Sequence, residues 1–368
     1  MKQKAIFHAI SSAIVAASLL FTPIATEACT SFIIKSSDNG YVYGRTLEFG
    51  IDIQSEPIAI PRNLHYQGTG VNGQPGKSWN TKYAAIGMNG IGLPILVDGM
   101  NEKGMTGGML YAPNTAKFQE VSPAESKESV ASYEILTYAL TNFATVDEVK
   151  EGFKTLKVNQ TGHAPFTGAI PLHMTLHDAQ GKSIVIEYND GKLFIYDNPT
   201  GVMTNDPNFA YQLANIGLYA NLSPKEANPL MINGATYAPP SSGSGLHGIP
   251  GDFLSPSRFV RAVMYSSSAS TQLKATDQVA VAFHILNNFD IPPGAIQLSS
   301  KNPYGGGTDG FERTEWSSVA DAKNLVYYVR TYENSNIQML DMKKLDLDAK
   351  QIRTFTLQDR EVRFEINK

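Results

Sequence analysis

The chain is dominated by short segments in which apolar residues alternate with polar ones or follow one another without interruption. Such patterns are typical of β-strands that are buried on one or both faces. Residues 30–35 and 40–49 follow the pattern on either side of Asp38-Asn39-Gly40, a sequence typical of a tight turn. We therefore predict an antiparallel hairpin that begins near residue 30. The same pattern predicts further strands within 82–88, 92–100, 104–112, 172–197 and 324–342.

Helical periodicity is confined to fewer segments. Apolar residues recur at helical spacing in 129–143 and 275–289, and Thr145 with Glu148 forms a capping-box sequence that opens a helix at 146–156. Residues 237–258 are rich in glycine, proline and serine, so we predict a long loop there. Because blocks of antiparallel strands are separated by helices, we expect layers of sheet and helix within one domain.

The first 28 residues have the pattern of a secretory signal peptide. Lys2 and Lys4 precede an apolar stretch, and the small residues Thr26 and Ala28 fit a cleavage site. We expect residues 1–28 to be removed and residues 29–368 to form one domain in the periplasm or outside the cell. No later run approaches the roughly 20 apolar residues that a membrane-spanning helix needs. Cleavage would leave Cys29, the single cysteine, as the first residue.

Composition and spacing argue against several classes of protein. A single cysteine cannot form an internal disulfide, so stability must come from the hydrophobic core. Removing residues 1–28 takes away two lysines and one glutamate and changes the formal net charge from −4 to −5, which disfavours nucleic acid and anionic membranes as partners. The Gly-x-Gly-x-x-Gly match at 243–248 lies inside the predicted loop, and no metal-ligand pattern accompanies His173 and His177. We therefore expect no nucleotide, cofactor or metal.

An N-terminal cysteine can supply both a nucleophile and a base. Its thiol has an ordinary pKa of about 8.5, but its own α-amine, with a pKa of about 7.7–8.0, can take the thiol proton. N-terminal nucleophile hydrolases use this design to cleave amides, and Arg45 on the neighbouring predicted strand could stabilise the thiolate. Two other interpretations stay open. Cys29 could carry the lipid of an anchored, non-enzymatic binding protein, although Thr26 and Glu27 depart from the usual attachment sequence, or it could be an ordinary buried residue.

Several ordered segments of the chain resemble the choloylglycine hydrolases, a family that comprises conjugated bile acid hydrolases and penicillin V acylases. They are "CTSF" at 29–32, "YGRTLEFG" at 43–50, "DGMNEKGM" at 98–105, "GVMTNDPNF" at 201–209, "HGIPGDFLSPSRFVRA" at 247–262, "FHILNNFDIP" at 283–292 and "YYVRTYENSNI" at 327–337. The resemblance implies an α+β protein with the αββα four-layer fold of N-terminal nucleophile hydrolases. It also implies hydrolysis of a linear, non-peptide amide C–N bond by a homotetramer.

By position, the resemblance implies roles for individual residues. Cys29 would attack the amide carbonyl and Arg45 would stabilise its thiolate. Glu48 stands where many members have a shorter aspartate that contacts the cysteine amine. Asn205 would donate its side-chain amide to the oxyanion, and Arg258 matches a second arginine of the family.

The resemblance also implies residues of the substrate pocket. Tyr111 stands where many members have asparagine; its backbone N–H would complete the oxyanion hole, and its ring would shape the pocket. Phe49, Ile51 and residues 231–240 are further candidates to line that pocket. We interpret the substrate as a small-molecule amide, a glycine- or taurine-conjugated bile acid. Penicillin V and N-acyl-homoserine lactones are the alternatives.

Overall fold

The structure is a computed structural model that describes residues 28–166, 168–297 and 311–367. Its strands are β1 (Thr30–Lys35), β2 (Tyr41–Phe49), β3 (Pro57–Ile60), β4 (His65–Thr69), β5 (Pro75–Asn80), β6 (Ala85–Gly90), β7 (Leu93–Asn101), β8 (Thr106–Tyr111), β9 (Ser129–Ala131), β10 (Lys157–Asn159), β11 (Leu172–His177), β12 (Ser183–Asn189), β13 (Lys192–Asp197), β14 (Leu230–Ile232), β15 (Ala235–Tyr237), β16 (Ile296–Gln297), β17 (Phe311–Asp321), β18 (Val326–Thr331), β19 (Gln338–Asp341) and β20 (Arg353–Thr354). Its α-helices are α1 (Ile135–Asn142), α2 (Val146–Phe153), α3 (Phe209–Ile216), α4 (Ser255–Ser268) and α5 (Ala275–Leu286).

Two large antiparallel sheets form the centre of the molecule. The first has the strand order β1-β2-β17-β18-β19, with β16 paired to β17, and the second has the order β13-β12-β11-β8-β7-β6-β3-β20. Helices α4 and α5 pack on the first sheet, and α1 packs on the second. These layers confirm the expected αββα arrangement.

The central strands of the second sheet are buried on both faces, and strand alternation explains how. On β12, Val185 belongs to the core that joins the two sheets, whereas Ile184 and Ile186 belong to the core between the second sheet and helices α1 and α2. Successive side chains of a strand point to opposite faces, so a run of apolar residues serves both cores at once. Val149 and Phe153 of α2 belong to the same core as Ile184 and Ile186.

The predicted N-terminal hairpin is confirmed. Strands β1 and β2 pair antiparallel from Thr30 opposite Thr46 to Lys35 opposite Tyr41. Asn39 in the connecting turn has a φ of 61°, a conformation that asparagine tolerates better than most residues. The predicted cap is also present, since the Thr145 side chain accepts a hydrogen bond from the Glu148 backbone N–H at the start of α2.

One helix prediction and one loop prediction were wrong in their extent. The helix predicted at 129–143 begins only at Ile135, because residues 129–131 pair in parallel with β10 as strand β9. The loop predicted at 237–258 ends earlier, because α4 starts at Ser255 with Pro256 in its first turn. Helix α3 was not predicted as a helix at all.

The signal-peptide prediction falls on residues that lie, apart from Ala28, outside the described ranges. Among the described residues, no helix is long and apolar enough to cross a membrane. The same residues contain no group of three or more histidine, cysteine or acidic side chains arranged to hold a metal ion.

Candidate active site

Cys29 lies immediately before β1 and is 2% exposed. The antiparallel register of the hairpin places Arg45 opposite Ser31, close to the start of β1. As a result the Arg45 Nη2 lies 3.7 Å from the Cys29 Sγ. The hairpin therefore brings together the two residues that the sequence predicted as nucleophile and thiolate stabiliser.

The Arg45 guanidinium is fixed by contacts on several sides. Its Nη1 donates to the Val97 carbonyl oxygen and its Nη2 to the Met109 carbonyl oxygen, both at 2.6 Å. The Trp316 ring lies across the guanidinium, with its centroid 5.2 Å from Cζ. Because the guanidinium is planar and its donors point in fixed directions, these contacts aim one edge at the Cys29 sulfur.

Asp98 is the buried counter-ion of Arg45. Its Oδ2 lies 3.7 Å from the Arg45 Nη1, and the two side chains are 0% and 1% exposed. Asp98 also accepts hydrogen bonds from the hydroxyls of Tyr43 (2.9 Å), Ser318 (2.8 Å) and Tyr327 (2.5 Å). Asp98 is on the second sheet and all of its partners are on the first, so this carboxylate links the two sheets. Pairing and hydrogen bonding offset the cost of burying the charge.

Asn205 and Arg258 hold the backbone of Cys29. The Cys29 nitrogen, a peptide N–H in the full-length chain, donates to the Asn205 Oδ1 at 2.7 Å. Arg258 donates to the same Oδ1 (2.8 Å), to the Cys29 carbonyl oxygen and to the Thr30 hydroxyl (2.9 Å). The Asn205 Nδ2 donates to the Tyr111 carbonyl oxygen (2.8 Å), and its second hydrogen has no partner among the described residues. An oxyanion beside Cys29 could use that hydrogen.

Glu48 does not contact the Cys29 nitrogen in the full-length chain, although the resemblance implied this contact. Its Oε1 accepts a hydrogen bond from the Thr314 hydroxyl (3.0 Å), and its Oε2 has no partner within the described part of the chain. Burial raises the pKa of Glu48 well above its ordinary range, against the opposing charge of Arg258. The side chain is therefore close to the site but not bonded to the nucleophile.

The thiol of Cys29 is not activated by its surroundings alone. Burial raises the pKa of the thiol, the Arg45 charge lowers it, the Glu48 carboxyl raises it, and the Glu48 backbone N–H lowers it. The net shift is upward, so the neutral thiol is favoured. A nucleophilic cysteine at this position therefore needs a base that takes its proton.

An apolar cavity of about 60 Å³ opens beside the Cys29 thiol between the two sheets. Phe49 lines the cavity and makes edge-on contacts with Tyr111 and Phe166, at centroid distances of 5.7 Å and 6.1 Å. Tyr133 also lines the cavity. The walls are almost entirely apolar, so the cavity suits the acyl side of an amide rather than a charged group.

One predicted pocket residue and one predicted pocket segment do not line this cavity. Ile51 packs against the core but does not line the cavity. Residues 231–240 include most of the hairpin of β14 and β15, where Met231 and Tyr237 are exposed. Only Phe49 and Tyr111 of the predicted set form the cavity wall.

His173 and Glu187 support the segment that carries Asn205. The His173 Nε2 lies 2.8 Å from the Thr204 carbonyl oxygen and its Nδ1 3.1 Å from the Glu187 carboxyl. Glu187 also accepts a hydrogen bond from the Phe209 backbone N–H (2.9 Å) at the start of α3. The two side chains thus fix the segment on both sides of Asn205.

Sequence reasoning missed two buried carboxyl groups of the site, Asp98 and Glu312. Asp98 is the single charge within the apolar run 92–100, a signal that could have found it. Glu312 lies among other charged residues in "FERTE", so its sequence context gives no comparable signal. Both are 0% exposed.

Comparison with known proteins assigns a family to this geometry. A family model of linear amide C–N hydrolases, the choloylglycine hydrolase family, matches residues 29–355. The bile salt hydrolase/transferase of Clostridium perfringens (strain 13 / Type A) is 32% identical over 332 residues, which cover 89% of this chain and 96% of that protein. The penicillin V acylase of Pectobacterium atrosepticum is 26% identical over 364 residues, 92% of this chain and 88% of that protein.

Solved structures with a similar fold come from the same kinds of protein as the relatives found by sequence. Two variants of the conjugated bile acid hydrolase from Clostridium perfringens, each 29% identical, superpose with TM-scores of 0.79 and 0.80 over 92% of this chain and 100% of theirs. One variant replaces a cysteine by alanine and the other an arginine by leucine, at positions sixteen residues apart. Cys29 and Arg45 have the same separation.

Proposed function

Because the chain belongs to the choloylglycine hydrolase family of linear amide C–N hydrolases, we propose that it hydrolyses glycine- or taurine-conjugated bile acids. The observation that carries the proposal is the placement of the Cys29 thiol 3.7 Å from the Arg45 guanidinium at the wall of an apolar cavity. The bile salt hydrolase/transferase from Clostridium perfringens supports this substrate class, since the two sequences align over most of both chains.

The proposed reaction begins after residues 1–28 have been removed. The α-amine of Cys29 takes the thiol proton, and the thiolate attacks the amide carbonyl carbon. The Asn205 side-chain amide and the Tyr111 backbone N–H donate to the oxyanion that forms. The ammonium then gives its proton to the departing glycine or taurine nitrogen as the C–N bond breaks, which leaves a thioester on Cys29. Water, deprotonated by the same amine, attacks the thioester and releases the bile acid.

Export, with cleavage before Cys29, is part of the proposal. Only a chain that begins at Cys29 has an α-amine at the site, so the mechanism requires that cleavage. The signal-peptide pattern of residues 1–28 and the position of Cys29 directly after it support this step. The homotetramer implied by the family resemblance belongs to the proposal as well.

One observation favours penicillin V as a second candidate substrate. The cavity volume of about 60 Å³ is small against the roughly 300–1,000 Å³ of most small-molecule sites. A single aryl ring would need less movement of Tyr133 and Phe166 than the fused rings of a steroid. A relative named penicillin V acylase aligns over most of this chain.

Amine release by the protein that begins at Cys29 tests the proposal. The substrates are glycocholate, taurocholate, penicillin V and a long-chain N-acyl-homoserine lactone at equal concentrations, with Cys29→Ala as the inactive control. Fastest release of glycine or taurine is the expected result. Fastest release of 6-aminopenicillanic acid or homoserine lactone would replace the substrate and keep the mechanism, and full activity of Cys29→Ala would overturn the mechanism.

A further inference from the structure

Glu312 occupies a buried position on the amino side of Cys29. It lies on β17 two residues before Thr314, whose hydroxyl donates to Glu48, so strand alternation puts Glu312 on the same face. Glu312 is 0% exposed. It lines a cavity of about 600 Å³ together with Ala28, Asn205 and Arg258. This cavity is separate from the apolar one beside the thiol, since the two have no lining residue in common.

The Glu312 carboxyl lacks the partners that a buried acid normally has. Neither oxygen has a well-formed hydrogen bond among the described residues. Burial raises the pKa of Glu312 to about 7, and the Arg258 charge and the nearby Ala28 backbone N–H oppose that rise. A buried polar group without a partner is costly, so it calls for an explanation.

Counting donors at the Cys29 nitrogen suggests what the missing partner is. In the full-length chain this nitrogen has one hydrogen, and the Asn205 Oδ1 accepts it at 2.7 Å. Removal of residues 1–28 would turn the nitrogen into an α-amine, which has three hydrogens when protonated, and would also remove the Ala28 N–H. The protonated amine therefore needs further acceptors. Carboxyl oxygens without a partner among the described residues around Cys29 are the Glu48 Oε2 and both oxygens of Glu312. Of these two side chains, Glu312 is the one beside the Ala28 backbone N–H, on the amino side of Cys29.

Charge balance leads to the same residues. The charged groups around Cys29 are Arg45 and Glu48 from β2, Asp98 from β7, Arg258 from α4 and Glu312 from β17. Asp98 already forms an ion pair with Arg45. Arg258 has no carboxylate within ion-pair distance in the described structure, and its donors go to oxygens of Phe253, Cys29, Thr30 and Asn205. A new ammonium at Cys29 would need a counter-charge of its own.

We propose that Glu312 accepts a hydrogen bond from the α-ammonium of Cys29 in the cleaved protein and so favours the thiolate–ammonium pair over the neutral thiol–amine pair. One proton moves, from the Cys29 sulfur to the Cys29 nitrogen, and the total charge of the pair stays zero. Glu312 is a positioning residue, because it acts through the amine and does not touch the substrate. The inference rests on the proposed function, since it requires Cys29 to be the first residue.

The rate of Cys29 alkylation by iodoacetamide, measured against pH, tests this role. The chain has one cysteine, so the signal comes from Cys29 alone. In the protein that begins at Cys29, Glu312→Gln should shift the alkylation profile upward by about one pH unit, which makes alkylation about tenfold slower below the midpoint. Glu315→Gln is the matched control on the same strand, because Glu315 pairs with Arg313 instead of facing Cys29; its profile should be unchanged.

The sign of the effect separates the proposal from simple repulsion. Loss of a nearby negative charge would by itself stabilise the thiolate and speed alkylation. Slower alkylation of Glu312→Gln therefore supports the proposal, and unchanged or faster alkylation overturns it. In protein that retains residues before Cys29, the same substitution should not slow alkylation, because no ammonium is present.

Folding and substrate do not confound the test. If Glu312→Gln fails to fold, a second measurement tests the proposal. The wild-type protein is labelled with ¹⁵N-cysteine, and the pKa of its Cys29 α-amine is measured by NMR. A value at or above about 8 supports a counter-ion, and a lower value overturns it, since burial alone lowers an amine pKa. Alkylation needs no substrate. Failure to hydrolyse any amide would count against the proposed function, and normal alkylation by an amide-cleaving Glu312→Gln protein would count against Glu312 alone.

Discussion

Asp98→Asn should destabilise the fold severely, because Asp98 is the only ion-pair partner of the buried Arg45 in the described structure. At the observed 3.7 Å and an effective dielectric constant of about 20, the attraction between the two charges is about 4.5 kcal/mol. Removing one partner of a buried pair typically costs about 3–5 kcal/mol. Asparagine also replaces one acceptor oxygen by an NH₂ donor, which would face either the Tyr43 hydroxyl at the Oδ2 position or the Ser318 and Tyr327 hydroxyls at the Oδ1 position. We expect the free energy of unfolding to fall by about 4 kcal/mol.

Urea denaturation of the wild-type and variant proteins measures this loss, with Asp321→Asn as the control. Asp321 is also 0% exposed, but it accepts hydrogen bonds from the backbone N–H groups of Lys323 and Asn324 and forms no ion pair among the described residues. Its loss should stay near about 1–3 kcal/mol, the usual cost of an unsatisfied hydrogen-bonding group. A loss below about 2 kcal/mol for Asp98→Asn, or equal losses for both variants, would refute the importance of the buried pair.

Three further predictions concern the oxyanion, the pocket and pH. Asn205→Ala should lower kcat about 10²–10³-fold, whereas Asn208→Ala, which removes only the cap of α3, should lower the thermal midpoint with little change in kcat; equal kcat values would contradict the oxyanion role. Phe166→Ala widens the apolar cavity and should raise kcat/KM for taurocholate relative to penicillin V, and an unchanged ratio would show that the cavity does not hold the acyl group. Burial lowers the pKa of His177 to about 3 from 6.5, so the unfolded chain binds the extra proton and stability falls as pH drops from 6.5 towards 3, by up to about 1.4 kcal/mol per pH unit. His177→Gln should flatten this part of the urea-midpoint curve, and an identical slope would argue against a neutral buried His177.

Features that depend on neighbouring residues were predictable from the sequence. The turn at Asn39 and the cap at Thr145 depend on side chains within a few positions, and both form as predicted. The hairpin also explains why Arg45 could be placed beside Cys29 from the pattern alone, since its register is set by a short turn.

Features that depend on distant partners were not predictable in this way. Ser129–Ala131 has helical periodicity, but pairing with β10 makes it a strand, and residues 157–159 lie well outside any local window. Helix α4 was obscured by the glycine- and proline-rich segment that precedes it. In both cases tertiary contacts override local propensity.

The same distinction applies to the active site. Asn205 and Arg258 reach Cys29 from 176 and 229 positions away, so only the family resemblance pointed to them. The partners of Asp98 on the first sheet are equally remote, with Ser318 220 positions away. The role of a carboxyl group depends on its burial and its neighbours, and neither follows from a single sequence when those neighbours are distant.

The position of the apolar cavity affects how easily this protein could change its substrate. Leu47 and Phe49 on β2 and Tyr111 on β8 line the cavity and also belong to the core that holds the two sheets together. Replacing such a residue by a smaller one typically costs about 2–5 kcal/mol, against a total stability of about 5–15 kcal/mol for most proteins. A lineage that adapts the pocket to a bulkier acyl group can therefore take few steps before it needs compensating changes elsewhere, and prior stability becomes a condition for new specificity.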